Sequence, residues 1–240
     1  MSNLINMLRW EFILLYRYKI IHISLLSMFL YFLSTQTVQS LQGQTQVHSV
    51  LLFFDPAVIG IVFVGALVLF EKTENVLQAL ILTPMKTDDY LLSKIISLTL
   101  LSIISATVFI SLMAVFNETA FNIIYLITGI ILTSAMLILL GFIIVSRVQN
   151  INGYLLGIII SFLILTFPPL LNLFELFENP VFYLWPTQAS FILLNGVFLT
   201  SSLELWEIIY GIGYQLLWIG ILYYGAKKAF YKYIILGGSL

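Results

Sequence analysis

Three kinds of side chain here could do chemistry: carboxylates, bases and two imidazoles. Glu71, Lys72 and Glu74 stand together at the end of an apolar run, and Asp88, Asp89 and Lys94 follow them. Asp55 stands beside Pro56 within an apolar stretch, and His22 and His48 are far apart in the chain. Carboxylates and bases at such spacing can move a proton, form an ion pair or dock a charged partner. The enzyme patterns, however, are absent. A membrane serine protease would need G-x-S-G, and a membrane metalloprotease H-E-x-x-H; the sequence has neither. There is no Cys, hence no thiolate metal site and no Cys nucleophile. No G-x-x-x-x-G-K-[ST] is present to cradle ATP. We therefore expect no catalytic, cofactor-binding or metal-binding residue on this chain, no enzyme activity and no nucleic-acid partner.

The elements that position these groups follow from composition. The 240 residues carry 10 Lys+Arg and 11 Asp+Glu, so 9% are charged while 61% are hydrophobic. A soluble chain averages about 25% charged residues, so a soluble domain is excluded. Disorder is excluded by the same hydrophobicity. Runs of roughly 20 apolar residues predict six membrane-spanning helices, over 20–38, 49–70, 94–116, 121–145, 151–171 and 207–226. Period-2 alternation is lacking, which excludes a barrel. Arg9, Arg17 and Lys19 precede the first span, and no small-residue cleavage site follows, so the first span is expected to be retained. The remaining bases fall between spans two and three, between four and five, and after six. All ten thus share one side. Asp55, Glu118, Glu175, Glu178, Glu204 and Glu207 fall on the other. The positive-inside rule places both termini in the cytoplasm.

Three connections stand out. Residues 1–19 predict an amphipathic interfacial helix. At 100° per residue, Leu4, Leu8, Phe12 and Leu15 share an arc of about 80°, with Asn3, Asn6, Arg9 and Arg17 opposite. Glu11 and Lys19 sit off the polar arc. Arg9, Trp10 and Arg17 are the residues placed to touch headgroups or a cytoplasmic partner. Residues 71–93 predict an elbow. A short helix carries Val76, Leu77, Leu80 and Ile81, stops before Pro84, and is followed by a second helix capped at Thr87 with Asp88 and Asp89 in its first turn. Residues 172–206 are too long for a turn; the apolar run 189–199 within them suits a re-entrant or interfacial helix.

Other features have two readings each. Asp55-Pro56 fits the capped first turn of span two, or a functional ionisable group near the membrane. Gly153 and Gly157 form a GxxxG, a dimer contact or ordinary close packing. Pro168-Pro169 ends span five or bends an outer gate. The outer acids attract a cationic substrate, or are merely those left outside by the topology. The whole chain reads as a single membrane domain.

The segment from Glu71 to Lys94 resembles the permease subunits of ABC-2 type ABC transporters. The likeness rests on Glu71, Lys72, Leu77, Leu80, Thr83-Pro84 and Tyr90-Leu-Leu-Ser-Lys94. Phe54-Asp55-Pro56 and Gly60 and Gly65 are similar to the subgroup related to fluoroquinolone-export permeases. The resemblance implies an all-α, six-span ABC-2 exporter fold in a bacterial cytoplasmic membrane. It makes the elbow a coupling helix, with Glu71, Lys72, Glu74, Leu77, Leu80, Thr83, Pro84 and Met85 at or beside an ATPase. It implies two copies of a separate cytoplasmic ABC ATPase holding ATP and Mg, and a second permease copy or paralogue. Cargo would be amphipathic or hydrophobic: a drug, lipid or peptide. The competing functions are the substrate-binding membrane subunit of a vitamin importer and a non-transporting immunity or scaffold protein.

Overall fold

The computed structural model describes residues 2–38, 44–74, 76–77, 86–117, 120–198 and 203–235. The expected elbow residues Leu80, Thr83, Pro84 and Met85, and Glu118 of the outer side, lie outside these. Every regular element among the described residues is helical. Helix α1 (Ser2–Arg17) is followed by α2 (Ile20–Val38). Next come α3 (Gln44–Ala57), a π-helical stretch (Val58–Phe63) and α4 (Val64–Thr73), which together make one continuous rod. Then follow α5 (Thr87–Asn117), α6 (Ile123–Arg147), α7 (Ile151–Leu173), a 3-10 turn (Pro180–Leu184), α8 (Pro186–Asn195) and α9 (Leu205–Phe230).

Five of these rods are individually long and apolar enough to cross a membrane. The first expected span is the exception. It qualifies only together with α1, across a bend of 62°. The bend is made at Tyr18 and Lys19, where Lys19 takes a positive φ of 58°. That left-handed conformation is costly for a side chain with a Cβ. Its effect is to turn α1 away from the axis of α2.

Helix α6 is the hub, packed against α3, α4, the π stretch, α5, α8 and α9. Small residues let it approach the second span. A Cβ on Gly141 would lie 3.0 Å from the Ile61 Cα, and one on Gly60 3.1 Å from the Ile138 nitrogen. The rim is different. The apolar window of α7 is only 22% buried and that of α9 11%, against 61% for α6, so these two helices present broad apolar faces to the bilayer.

Two proline expectations are corrected. Pro168 and Pro169 do not end the fifth span; they lie inside α7, which runs on to Leu173. Each proline removes the donor that would reach the carbonyl four residues earlier. Those carbonyls, of Ile164 and Leu165, are taken by other donors: Trp185 Nε1 donates to Ile164 O at 2.7 Å, and the Thr187 hydroxyl donates to Leu165 O. Pro56 likewise lies within α3, two residues before the π stretch, rather than at a helix start. Asp55 is therefore not a cap. It is buried and accepts from the Ser105 hydroxyl of α5.

The expected re-entrant segment is α8. It begins at Pro186, earlier than the apolar run, because Pro is favoured at the first helical position. Phe191 packs on Phe53 with ring centroids 4.4 Å apart, and Ala189, Leu193 and Leu194 are also fully buried. The element is thus buried among the other helices of the bundle.

Candidate functional site

The chemistry-bearing groups converge at the end of the bundle that carries the bases. Helix α1 presents one helical face inward, half-buried at Leu4, Met7 and Leu8 and buried at Glu11, Leu14 and Leu15. Glu11 sits in the middle of it, only 2% exposed. Glu71, near the C-terminal end of α4, is also buried. Lys94 on α5 lies between them. Its Nζ is 2.8 Å from Glu11 Oε1 and 2.6 Å from Glu71 Oε1, with the side chain fully enclosed. One turn earlier on α5, the Tyr90 hydroxyl donates to Glu71 Oε2. The Tyr90 ring lies 5.1 Å from Lys94 Nζ, and it packs against Phe230 and Phe142.

This cluster joins α1, α4 and α5 by charge-assisted bonds. Ionised, it carries two negative charges and one positive. Burying ions is expensive, and mutual attraction offsets the cost only with good geometry. Three of the four carboxylate oxygens have donors. Glu11 Oε2 has none among the described residues. A cavity of about 380 Å³ adjoins the cluster, lined among the described residues by Asn6, Met7, Trp10, Glu11, Glu71, Val76 and Tyr90.

Neighbouring contacts brace it. The Tyr18 hydroxyl donates to Glu74 Oε1 at 3.0 Å, and its ring stacks on Phe70 at 4.8 Å. Lys72 Nζ donates to the carbonyls of Val145 and Val148 at 2.9 and 3.0 Å, where α6 ends and its last carbonyls lack helical donors. At the start of α5, Asp88 accepts from Lys227 and Tyr223 of α9, both at 2.8 Å.

The structure thus sorts the residues singled out above. Glu71 is interior. Lys72 is half-buried and committed to backbone. Glu74 is exposed, and Leu77 is buried. Arg9, Trp10 and Arg17 lie on the exposed side of α1, whereas Phe12, placed in the apolar arc, is 37% exposed. Gly153 and Gly157 face their own chain: a Cβ on Gly157 would lie 2.7 Å from Ile144 Cγ2, and one on Gly153 3.1 Å from the Asn150 cap oxygen. Of the subgroup residues, Gly65 has the clearest reason. A Cβ there would fall 1.8 Å from the Tyr154 ring, whose hydroxyl donates to Ile61 O inside the π stretch. Lys94 was expected at the threshold of span three, but α5 begins seven residues earlier and buries it.

Glu11, Tyr90 and Lys94 were not among the candidate site residues. One signal pointed to the first of them: Glu11 sits off the polar arc of the amphipathic helix. Tyr90 and Lys94 stood only in the motif that carries the ABC-2 resemblance. Its partner, fully buried Lys94, is 83 residues away, beyond any local pattern.

The fold is that of an all-α, multi-pass membrane protein. Comparison with known proteins gives its kind. The profile of the fluoroquinolones export permease protein family matches residues 2–237. Fluoroquinolones export permease proteins of two Mycobacterium tuberculosis strains, CDC 1551 / Oshkosh and ATCC 25618 / H37Rv, are each 30% identical over 235 residues, spanning 98% of this chain and 98% of each relative. The chain belongs to this export permease family. No solved structure matches it significantly.

Proposed function

We propose that this chain is the transmembrane subunit of an ATP-driven ABC exporter of the ABC-2 type, lying in a bacterial cytoplasmic membrane with both termini inside. The observation that carries the reading is the full-length match to export permeases. The ABC-2 resemblance of the segment from Glu71 to Lys94 supports it. So does the one-sided placement of the bases.

In this reading a separate ATPase, in two copies, binds ATP and Mg, and two permeases enclose the path. Closure of the ATPases pushes on the elbow at 71–93, and the permeases respond as rigid bodies. The Glu11–Lys94–Glu71 cluster then acts as the joint through which the elbow root moves α1 and α5 together. Exposed Glu74 is the described charge best placed to meet the ATPase. Glu71 would act through the joint instead. Cargo is amphipathic or hydrophobic, in keeping with a chain whose spans are almost free of charge.

The test is reconstitution with a P-loop ATPase from the same organism. Co-purification and export that requires ATP are expected. Glu74→Lys should lower permease-stimulated ATP hydrolysis several-fold while leaving membrane insertion intact. Export by the chain alone, without ATP, would overturn the reading.

A further inference from the structure

The ion cluster has one carboxyl too many for its single base. Lys94 Nζ is shared between Glu11 and Glu71, at 2.8 and 2.6 Å. Both oxygens of Glu71 accept, one from Lys94 and one from the Tyr90 hydroxyl. Glu11 accepts from Lys94 through Oε1, but its Oε2 has no donor among the described residues and is itself enclosed. Fully ionised, the cluster would bury one net negative charge. Among the described residues no further cation reaches it. Lys72 is committed to the end of α6, and Arg9, Arg17 and Lys86 are exposed. From α2 the titratable groups are Tyr31, on the Asp55 side, and His22, exposed against the Tyr16 ring. Glu74 is bonded to Tyr18. An orphan anion is far costlier to bury than a neutral carboxyl. The least costly state of the cluster therefore carries one proton, and Glu11 is the carboxyl with an oxygen available to hold it. Burial pushes the Glu11 carboxyl above its ordinary value; Lys94 opposes this and the Glu71 charge adds to it.

We infer that Glu11 is a proton-binding site, and that its proton holds the first half of α1 against the bundle. The two halves of α1 are anchored differently. Leu14 and Leu15 are buried, whereas Leu4, Met7 and Leu8 are only half-buried. Among the described side chains of the first half, Glu11 alone is buried. With the proton in place, Lys94 balances Glu71, and Glu11 keeps its bond to Lys94 as a neutral acceptor. Without it, the enclosed excess charge is relieved by moving Glu11 toward water, which lifts the first half of α1 from α5. The sign follows from linkage. A carboxyl raised by burial favours the docked helix at acid pH, and that preference is lost as the pH rises through the raised value. The inference goes beyond the transport reading. Only its consequence for export rests on that reading: a lifted α1 no longer moves with the root of the elbow.

The chain has no Cys, so spin labels on Ile5→Cys and Lys228→Cys, two exposed positions, report the place of α1 without ambiguity. The experiment measures the distance between them by double electron–electron resonance, with the full-length protein in phosphatidylcholine nanodiscs. One narrow distribution is expected at about pH 5 and a second, broader component at about pH 9. Above the midpoint, the ratio of docked to lifted helix should fall up to about tenfold per pH unit. Glu11→Gln, a neutral isostere, should keep the narrow distribution at both pH values. Glu71→Gln leaves Lys94 to balance Glu11 alone, so it should also abolish the broad component, and it stands in if Glu11→Gln does not fold. Three results would overturn the inference. They are one narrow distribution for the parent at both pH values, a broad component surviving at about pH 9 in either folded variant, and a Glu11→Gln helix already lifted at about pH 5. Neither ATP nor an ATPase is present, so a failure here is distinct from a failure of the export reading.

Discussion

The two ends of the bundle satisfy their buried polar groups by opposite means. At the basic end, Glu11, Glu71 and Lys94 are enclosed together and depend on one another's charge. At the other end, the carbonyls freed by Pro168 and Pro169 are satisfied by neutral donors, the Trp185 indole and the Thr187 hydroxyl. Asp55, deeper in the second span, is intermediate: an acid whose partner is the neutral Ser105. The difference teaches where substitution should hurt. An ion cluster fails when its balance fails. A neutral repair loses one bond at a time.

The largest effect is expected at Lys94. Lys94→Met leaves two carboxylates buried without a base and should cost about 3–5 kcal/mol. Thermal unfolding in detergent checks this; a loss under about 1 kcal/mol would mean the acids are not held as a charged cluster. The neutral end should respond less. Thr187→Val and Trp185→Phe each orphan one carbonyl of α7 and should cost about 1–2 kcal/mol. Faster hydrogen exchange confined to the turn around Leu165 would sharpen the point, while global unfolding would erase the contrast. The smallest effect is expected at Asp55. Asp55→Asn keeps an oxygen for the Ser105 hydroxyl and should change stability by under about 1 kcal/mol. A loss as large as that of Lys94→Met would move Asp55 into the charge-dependent class.

Much of this architecture was legible in residue order. Spans four and five were placed to within two residues at each end, because caps and turn residues flank their apolar runs: Asn122 and Asn150 accept from the first backbone amides of α6 and α7. The amphipathic helix was legible in the helical spacing of its apolar and polar residues. The prolines were not. A proline signals a lost donor, and whether the helix stops depends on whether another donor arrives. For Ile164 and Leu165 that donor is contributed from 21 and 22 residues further along the chain. The capping reading of Asp55 failed because Asp-Pro is a common helix start, and nothing nearby in sequence announces Ser105, 50 residues on.

The candidate site divides in the same way. The acids and bases around 71–94 drew attention through their density in a chain so poor in charge. Their arrangement did not follow from it. Glu71 and Lys72 are adjacent, yet one enters the ion cluster and the other caps α6. A helix sends successive side chains about 100° apart, so neighbours in sequence face different surroundings.

By itself the sequence determined the solvent this protein lives in, its all-helical class and the placement of five long apolar helices. Those properties follow from hydrophobicity and charge summed over segments of roughly 20 residues, each set by local composition. Tertiary structure alone decided which charges are buried together, which donors repair the proline-broken turns and where a cavity is left beside Glu11. Those depend on side chains brought close from distant helices, and no local sum contains them.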